Sequence, residues 1–327
     1  MILRWYAGIN YGLEKLAAGI VRDGGGTDIR IYDGAVTFSR RNAPELLCAT
    51  NLFLILAEFK SSGMADAAAK MPRLRYDLPG YASGIIRGKT FRIVTMDCGK
   101  LRPVPDELLR AAERSFSGRM RIKAERSSPG VEIWVNRRGN GETFLMLRVT
   151  KRRDFARTLK QGELRPDVAH IMLYAAGTRK NGVIADPFGG WGAISSAALD
   201  AGGYAQIHTG DMNGKCVEHQ KRRFKGRNGV TVRQWDALTL PLPDSSADAV
   251  VTDPPWGVYE RVDVERLYGG FIKEAARVLK PGGALVFLSS AEAASKKALE
   301  THGLEYSCAP LKINGRETVL FRAAKVL

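Results

Sequence analysis

Residues 182–192, GVIADPFGGWG, and residues 247–257, ADAVVTDPPWG, decide how this chain folds. In each, a short apolar run ends on an aspartate and breaks into prolines and glycines. An apolar run bounded in this way reads as a buried strand meeting a turn. After the first turn comes the helical stretch AISSAALDAG, and the same alternation continues: AQIHTGD (205–211) then KCVEHQKRRF, GVTVRQWD (229–236), ADAVVTD (247–253) then ERLYGGFIKEAARVLK, and GGALVFLSS (282–290) then EAASKKALETHG. Nearly continuous apolar strands separated by amphipathic helices imply a parallel sheet covered on both faces. The last two runs, LEYSCAPLKIN and RETVLFRAAKVL, meet at Asn314-Gly315 and read as an antiparallel hairpin. The expected fold class is α/β, an open doubly wound Rossmann-like sheet with a hairpin at one edge.

Ligands of such sheets bind at the carboxyl ends of the strands. Asp186, Asp211 and Asp236 fall at successive strand ends, so they should face one crevice. The turn Asp186-Pro187-Phe188-Gly189-Gly190-Trp191-Gly192 lets backbone approach a ligand at a helix N-terminus. It lacks both the Gly-x-Gly-x-x-Gly dinucleotide pattern and the Lys-Ser/Thr of a P-loop. Asp211 is placed to receive ribose hydroxyls, and Asp236 lies where an adenine amine would sit. The fourth strand ends in Asp253-Pro254-Pro255-Trp256. An exocyclic base amine is a poor nucleophile because its lone pair is delocalised into the ring. A carboxylate and a backbone carbonyl that accept its N–H bonds would stabilise the transition state of its alkylation. Pro254 and Pro255 lock φ and bring no competing N–H, and Trp256 offers a flat face for an extruded base.

Charge separates the two halves. Residues 1–181 hold 32 Lys/Arg against 18 Asp/Glu, whereas residues 182–327 hold 18 against 16. The segment 87–160 carries 19 against 8. A basic field of that size attracts phosphate backbones. Arg119, Arg121, Lys123, Arg137, Arg138, Lys151, Arg152 and Arg153 are the candidate RNA contacts.

The N-terminal half reads as α+β. GLEKLAAGIVRDGG is a helix, IRIYDGAVTFS two strands, and APELLCATNLFLILAEFK a second, buried helix. Beyond Pro79-Gly80 follow the strand TFRIVTMD, the helix PDELLRAAERSF, the strand RMRIKAE and a hairpin over VEIWVNRRGNGETFLMLRVT; KRRDFARTLKQGELRP then leads into the apolar helix DVAHIMLYAAG. The four cysteines and four histidines show no ligand spacing, so no metal is expected. The greasiest stretch, 46–59, is too short to span a bilayer, and the N-terminus lacks a signal-peptide core, which places the protein in the cytoplasm as an expectation.

These motifs resemble the class I methyltransferases that modify nucleic-acid amino groups, whose signatures are an Asp-Pro-Phe/Met-x-Gly-x-Gly turn followed by an Asp/Asn-Pro-Pro-aromatic tetrad. The resemblance implies S-adenosyl-L-methionine as cofactor, held by Asp186, Pro187, Phe188, Gly190, Gly192, Asp211 and Asp236. It implies catalysis by the tetrad Asp253–Trp256. Residues 157–176 look like the segment packed near the cofactor's methionine end, which brings in Arg165. Residues 87–150 are similar to the THUMP RNA-binding domain, and the first 80 residues resemble the ferredoxin-like module that accompanies it. The domains expected are 1–85 (ferredoxin-like), 86–150 (THUMP-like), 151–180 (linker and helix) and 181–327 (methyltransferase).

The combination points to RNA guanine-N2 methylation, chiefly of tRNA, with adenine-N6 methylation of RNA or DNA as the same-class alternative. Some members of such families work with a small zinc-bearing activating subunit. Departures from the family turn are Gly189, Trp191 and Ala193, which stand where Cys, Ser and Thr are common. The bulk of Trp191 raises a third reading, a noncatalytic RNA-binding protein with a degenerate turn.

Overall fold

A computed structural model describes residues 2–76, 78–150, 159–177, 181–256, 263–313 and 315–325. It divides into two compact units, one of residues 1–9 and 21–153, the other of residues 10–20 and 154–327.

The first unit is built on one sheet. Its strands are β1 (Leu3–Gly8), β2 (Thr27–Tyr32), β3 (Ala35–Arg40), β4 (Asn51–Lys60), β5 (Thr90–Asp97), β6 (Lys100–Leu101), β7 (Lys123–Ala124), β8 (Val131–Arg137) and β9 (Glu142–Arg148). They run in the order β2-β3-β1-β4-β9-β8-β5-β6, with β7 on β5. Helix α1 (Glu14–Asp23), whose residues 14–20 are counted with the second unit, precedes β2 in sequence, and α2 (Met64–Lys70), α3 (Gly80–Ile86) and α4 (Asp106–Met120) lie between β4 and β7. The pairing of β4 with β9, Phe53 opposite Arg148, carries the sheet across the expected border at residues 85/86. The two expected N-terminal modules therefore share one sheet.

Two expected elements are corrected. Residues 46–59 were expected to form a buried helix, but Asn51–Lys60 is strand β4. A short, wholly apolar run carries no period to separate helix from strand. Flanking strands decide it: β4 pairs antiparallel with β1 on one edge and β9 on the other, burying Leu52, Phe53, Leu54 and Ile55. The strand expected over RMRIKAE shrinks to two residues, because α4 runs on to Met120 and closes on Arg121 in the left-handed region.

The second unit follows the expected plan. Its elements are α5 (Pro166–Ala175), β10 (Gly182–Asp186), α6 (Ala193–Ala201), β11 (Tyr204–Asp211), α7 (Gly214–Arg223), β12 (Val230–Gln234), β13 (Ala247–Thr252), α8 (Val264–Val278), β14 (Leu279–Ser289), α9 (Glu292–Thr301), β15 (Leu304–Ile313) and β16 (Arg316–Lys325). The sheet order is β12-β11-β10-β13-β14-β16-β15. The first five strands in that order are parallel, whereas β16 lies antiparallel to both β14 and β15. Asn314, in the hairpin turn, lies outside the described residues.

The chain reverses direction across the sheet between β10 and β13, which opens a crevice at their carboxyl ends. Below it the core is aromatic. Phe287 of β14 stacks on Phe321 of β16 at 4.9 Å and meets Phe271 of α8 edge-on at 5.7 Å, all three fully buried. No helix among the described residues is long and apolar enough to cross a membrane.

Phe287→Ala removes the ring at the centre of this cluster. It should lower stability by about 3–5 kcal/mol, the usual cost of a phenyl-sized cavity in a packed core. Equilibrium urea unfolding of the full chain measures it, and a cost under about 1 kcal/mol would mean that the cluster is not tightly packed.

Candidate active site at the strand ends

The turn after β10 is held from three sides by groups distant in sequence. The Thr252 hydroxyl, at the end of β13, donates to Asp186 Oδ1 (2.7 Å) and accepts from the Phe188 N–H (3.0 Å). Asp211, at the end of β11, takes the Gly190 N–H on Oδ2 (2.9 Å) and the Asn213 N–H on Oδ1 (2.8 Å). The Gln220 amide of α7 accepts from Thr209 (2.8 Å) and donates to the Gly190 carbonyl (2.9 Å). The Trp235 indole donates to the Pro187 carbonyl (2.9 Å).

This lattice explains the glycines. A Cβ on Gly189 would lie 2.4 Å from Thr209 Oγ1 and 2.8 Å from Gln220 Nε2, so the position admits no side chain as packed. Gly190 and Gly192 have φ of +49° and +86°, which favour glycine.

Trp191 has partners of its own. Its indole N–H donates to the Gln161 carbonyl (3.0 Å), Lys160 Nζ sits 4.2 Å from the ring centroid, and His219 packs edge-on at 5.4 Å. Its bulk is therefore taken up by the 159–163 segment and α7. These contacts lie along an open cavity of about 620 Å³ lined by Lys160, Glu163, His219 and Arg223 among others.

The tetrad follows Thr252 directly, so the hydroxyl that fixes the glycine turn also anchors the end of the strand carrying Asp253. Trp256 Nε1 donates to Asp253 Oδ1 (2.9 Å). The Tyr268 hydroxyl of α8 donates to the Pro255 carbonyl (3.3 Å), and the Ser290 hydroxyl to the Trp256 carbonyl (3.1 Å). Gly257, which ends the quoted motif, lies outside the described residues.

The acids differ in surroundings. Asp186 is fully buried, and its Oδ2 finds no hydrogen-bond partner among the described residues. Burial pushes its carboxyl up to about 8, with the negative fields of Asp211 and Asp253 adding to the rise and the Thr252 hydroxyl opposing it. Burial likewise pushes Asp253 up to about 7, opposed by the Trp256 N–H. Asp236 lies two residues beyond β12 and accepts from the Leu238 N–H (2.9 Å), a local turn. Arg165 caps the start of α5, its guanidinium bonded to the buried Asp167 (2.9 and 3.1 Å), which also accepts from Asn10 (2.6 Å).

Three candidate RNA contacts are tied inside the first unit. Arg119 donates to the Pro72 and Leu74 carbonyls. Arg137 donates to Asp97 and to the Ser61 and Ser62 carbonyls, and Arg138 to the Tyr6 hydroxyl and the Asp33 carbonyl. Arg121 and Lys123 are exposed, and Lys151, Arg152 and Arg153 lie outside the described residues. Sequence reasoning missed Thr252, Gln220, Trp235, Tyr268 and Ser290. Each acts over a long sequence distance and carries no local signature.

A carboxyl that ionises near 4 in the unfolded chain but near 8 when folded binds extra protons in the folded state between those values. Stability conferred this way is present in full below about pH 4 and is lost as pH rises toward 8. The ligand-free protein should therefore unfold at lower urea at pH 8 than at pH 5.5, and Asp186→Asn should flatten that slope. An unchanged slope in the variant would remove Asp186 as its source.

Residues 152–313 match the family model described as UPF0020: RMKL-like, methyltransferase domain. The chain is 28% identical over 186 residues to tRNA (guanine(6)-N2)-methyltransferase of Thermus thermophilus, covering 54% of this chain and 55% of that one. It is also 28% identical over 218 residues to tRNA (guanine(6)-N(2))-methyltransferase THUMP3 of Mus musculus, covering 59% and 43%. The chain thus spans about half the length of the curated relatives it matches. The crystal structure of TrmN from Thermus thermophilus superimposes with a TM-score of 0.81 at 24% identity, over 99% of this chain and 100% of that one, a likeness of fold. The crevice at the ends of β10, β11 and β13 lies within the segment that matches the RMKL-like methyltransferase model.

Proposed function

We propose that this protein is an S-adenosyl-L-methionine-dependent methyltransferase that acts on the N2 amine of a guanosine in tRNA. The observation that carries the reading is the acceptor group Asp253–Trp256 joined to the glycine turn through one hydroxyl, Thr252. The choice of guanine and of tRNA rests on the relatives' activities and on the basic first half of the chain.

The turn fits the cofactor. At Gly190 a Cβ would meet nothing nearer than 4.0 Å, so the bare backbone there leaves the turn before the helix N-terminus open to a ligand, and the buried, unpartnered Asp186 Oδ2 lies beside it. Pro187, Phe188, Asp211, Asp236 and Arg165 complete the residues that would hold it. When bound, S-adenosyl-L-methionine supplies an electrophilic methyl group carried on a sulfonium. The Asp253 carboxylate and the Pro254 carbonyl accept the two N–H bonds of the amine, orienting its nitrogen and stabilising the charge that develops there. A carboxylate brought near neutrality by burial is also a better proton acceptor than a solvated one. The Trp256 face receives the base.

Residues 86–150 serve as the THUMP-like module and residues 1–85 as the ferredoxin-like one. Arg121 and Lys123, with Lys151, Arg152 and Arg153, then contact phosphates, while Arg119, Arg137 and Arg138 shape the surface around them. A cytoplasmic location is consistent with a tRNA substrate. Activity of the purified chain alone would show that a small activating subunit is dispensable.

Asp253→Ala should lower methyl transfer to tRNA by about 10²- to 10³-fold, the usual worth of a group stabilising transition-state charge, with RNA affinity within about twofold of wild type. Retained activity would overturn the role. Mass spectrometry of the product nucleosides should show N2-methylguanosine, and N6-methyladenosine instead would overturn the choice of base. RNA affinity should fall at least about tenfold between 50 and 200 mM salt, since each phosphate contact releases counterions. A flat salt response would overturn the phosphate contacts.

A further inference from the structure

The tetrad presents more hydrogen-bond acceptors than one amine can use, and internal donors have already taken some of them. Trp256 Nε1 occupies Asp253 Oδ1, Tyr268 occupies the Pro255 carbonyl, and Ser290 occupies the Trp256 carbonyl. Tyr268 is itself fully buried in α8, so that donor is fixed by the core, and the exposed Ser290 follows the last residue of β14. Among the described residues, no donor reaches Asp253 Oδ2 or the Pro254 carbonyl. Those two acceptors are what the described residues leave open.

We propose that Trp256 is a positioning residue for the reaction: its indole N–H fixes the Asp253 carboxylate so that Oδ2, paired with the Pro254 carbonyl, is the acceptor set for the substrate amine. The proposal rests on the amine-methylation reading above and adds a role that the flat face of the ring does not supply.

The physical reason is the softness of the carboxylate. Rotation about its terminal torsion is broad and nearly two-fold, so an unheld Asp253 would present either oxygen over a range of angles. One charge-assisted hydrogen bond from a ring seated in the same turn removes that freedom. Among the described residues nothing else does it: the ionisable groups coupled to Asp253 there are Asp186 at the end of β10 and Tyr268 on α8, and neither is a cation. The Trp256 N–H therefore also opposes the neutralisation that burial favours, the role of a hydrogen bond to the charged form. A phenyl or phenol ring would stack on a base equally well but would not place an N–H at this point. The N–H, rather than aromaticity alone, is the property this turn uses.

Two replacements test it. Trp256→Phe keeps an aromatic face, and exchange of the indole for benzothiophene replaces N–H by sulfur at constant shape. Steady-state methyl transfer to an unmodified tRNA transcript is followed from pH 5.5 to 9, with cofactor affinity measured by calorimetry to show that each variant is folded. In both, kcat at pH 7 should fall about ten- to a hundredfold, the worth of one hydrogen bond to a charged group, with the KM for RNA within about twofold of wild type. The acid limb of the kcat profile should move to higher pH, so that part of the loss is recovered at pH 9. An isosteric variant that keeps wild-type kcat and an unmoved acid limb overturns the proposal. So does a variant whose KM rises while its pH profile stays in place, because that is the signature of a stacking surface only. If Asp253→Ala is itself fully active, the underlying reading fails instead, and the two failures are told apart by that variant.

Discussion

One hydroxyl organises this site. Thr252 sits where β13 ends, fully buried, and bridges Asp186 to the Phe188 amide across the boundary between two neighbouring strands. Without that bridge Asp186 would lose its described hydrogen-bond partner in a fully buried position, a severe penalty for a carboxyl group. With it, the end of β10 and the end of β13 are locked in register, and the glycine turn and the Asp-Pro-Pro-Trp turn become two lips of one crevice. The parallel pairing of Ile184 and Ala185 with Ala249 and Val250 brings the strands to that point. The hydroxyl completes what the ladder begins.

The same arrangement crowds negative charge. Burial raises the cost of ionising Asp186 and Asp253, and the negative fields of Asp211 and Asp253 add to it at Asp186. A ligand-free protein carries this as a destabilising charge cluster whose cost grows with pH. A sulfonium cation is the type of ligand that such a cluster favours. The chain accordingly trades stability for a site that welcomes positive charge, as binding sites commonly do.

The first unit follows a different economy of charge. Its arginines read from sequence as a basic field, yet several are consumed within the fold. Arg92 and Arg148 share Glu132, Arg126 joins Glu113 and Asp106, and Arg137 is held by Asp97. Because Glu132 and Arg148 are nearly buried, their pairing fixes β8 against β9 rather than offering charge to solvent. A count of arginines overstates the guanidinium groups left free to touch phosphate, although the net charge, which already subtracts the acids, is unchanged by pairing.

Sequence by itself determined the α/β plan of the second unit, the hairpin at its edge and the identity of both turns. These properties are written locally: apolar runs of strand length, amphipathic helices, and proline and glycine at the breaks. Asp186, Asp211 and Asp253 were legible because strand ends are legible. Tertiary structure alone decided the rest. Residues 51–60 became a strand because β1 and β9 flank them, and no period within an apolar run could announce it. Trp191 found its place against Lys160 and His219, the glycine turn was tied by Gln220 and Thr252, and Trp256 turned its N–H onto Asp253. Most of these join groups dozens of residues apart, and even the short Trp256–Asp253 link depends on how the turn is held. A sequence lists donors and acceptors but not their distances, and hydrogen bonds are decided by distance.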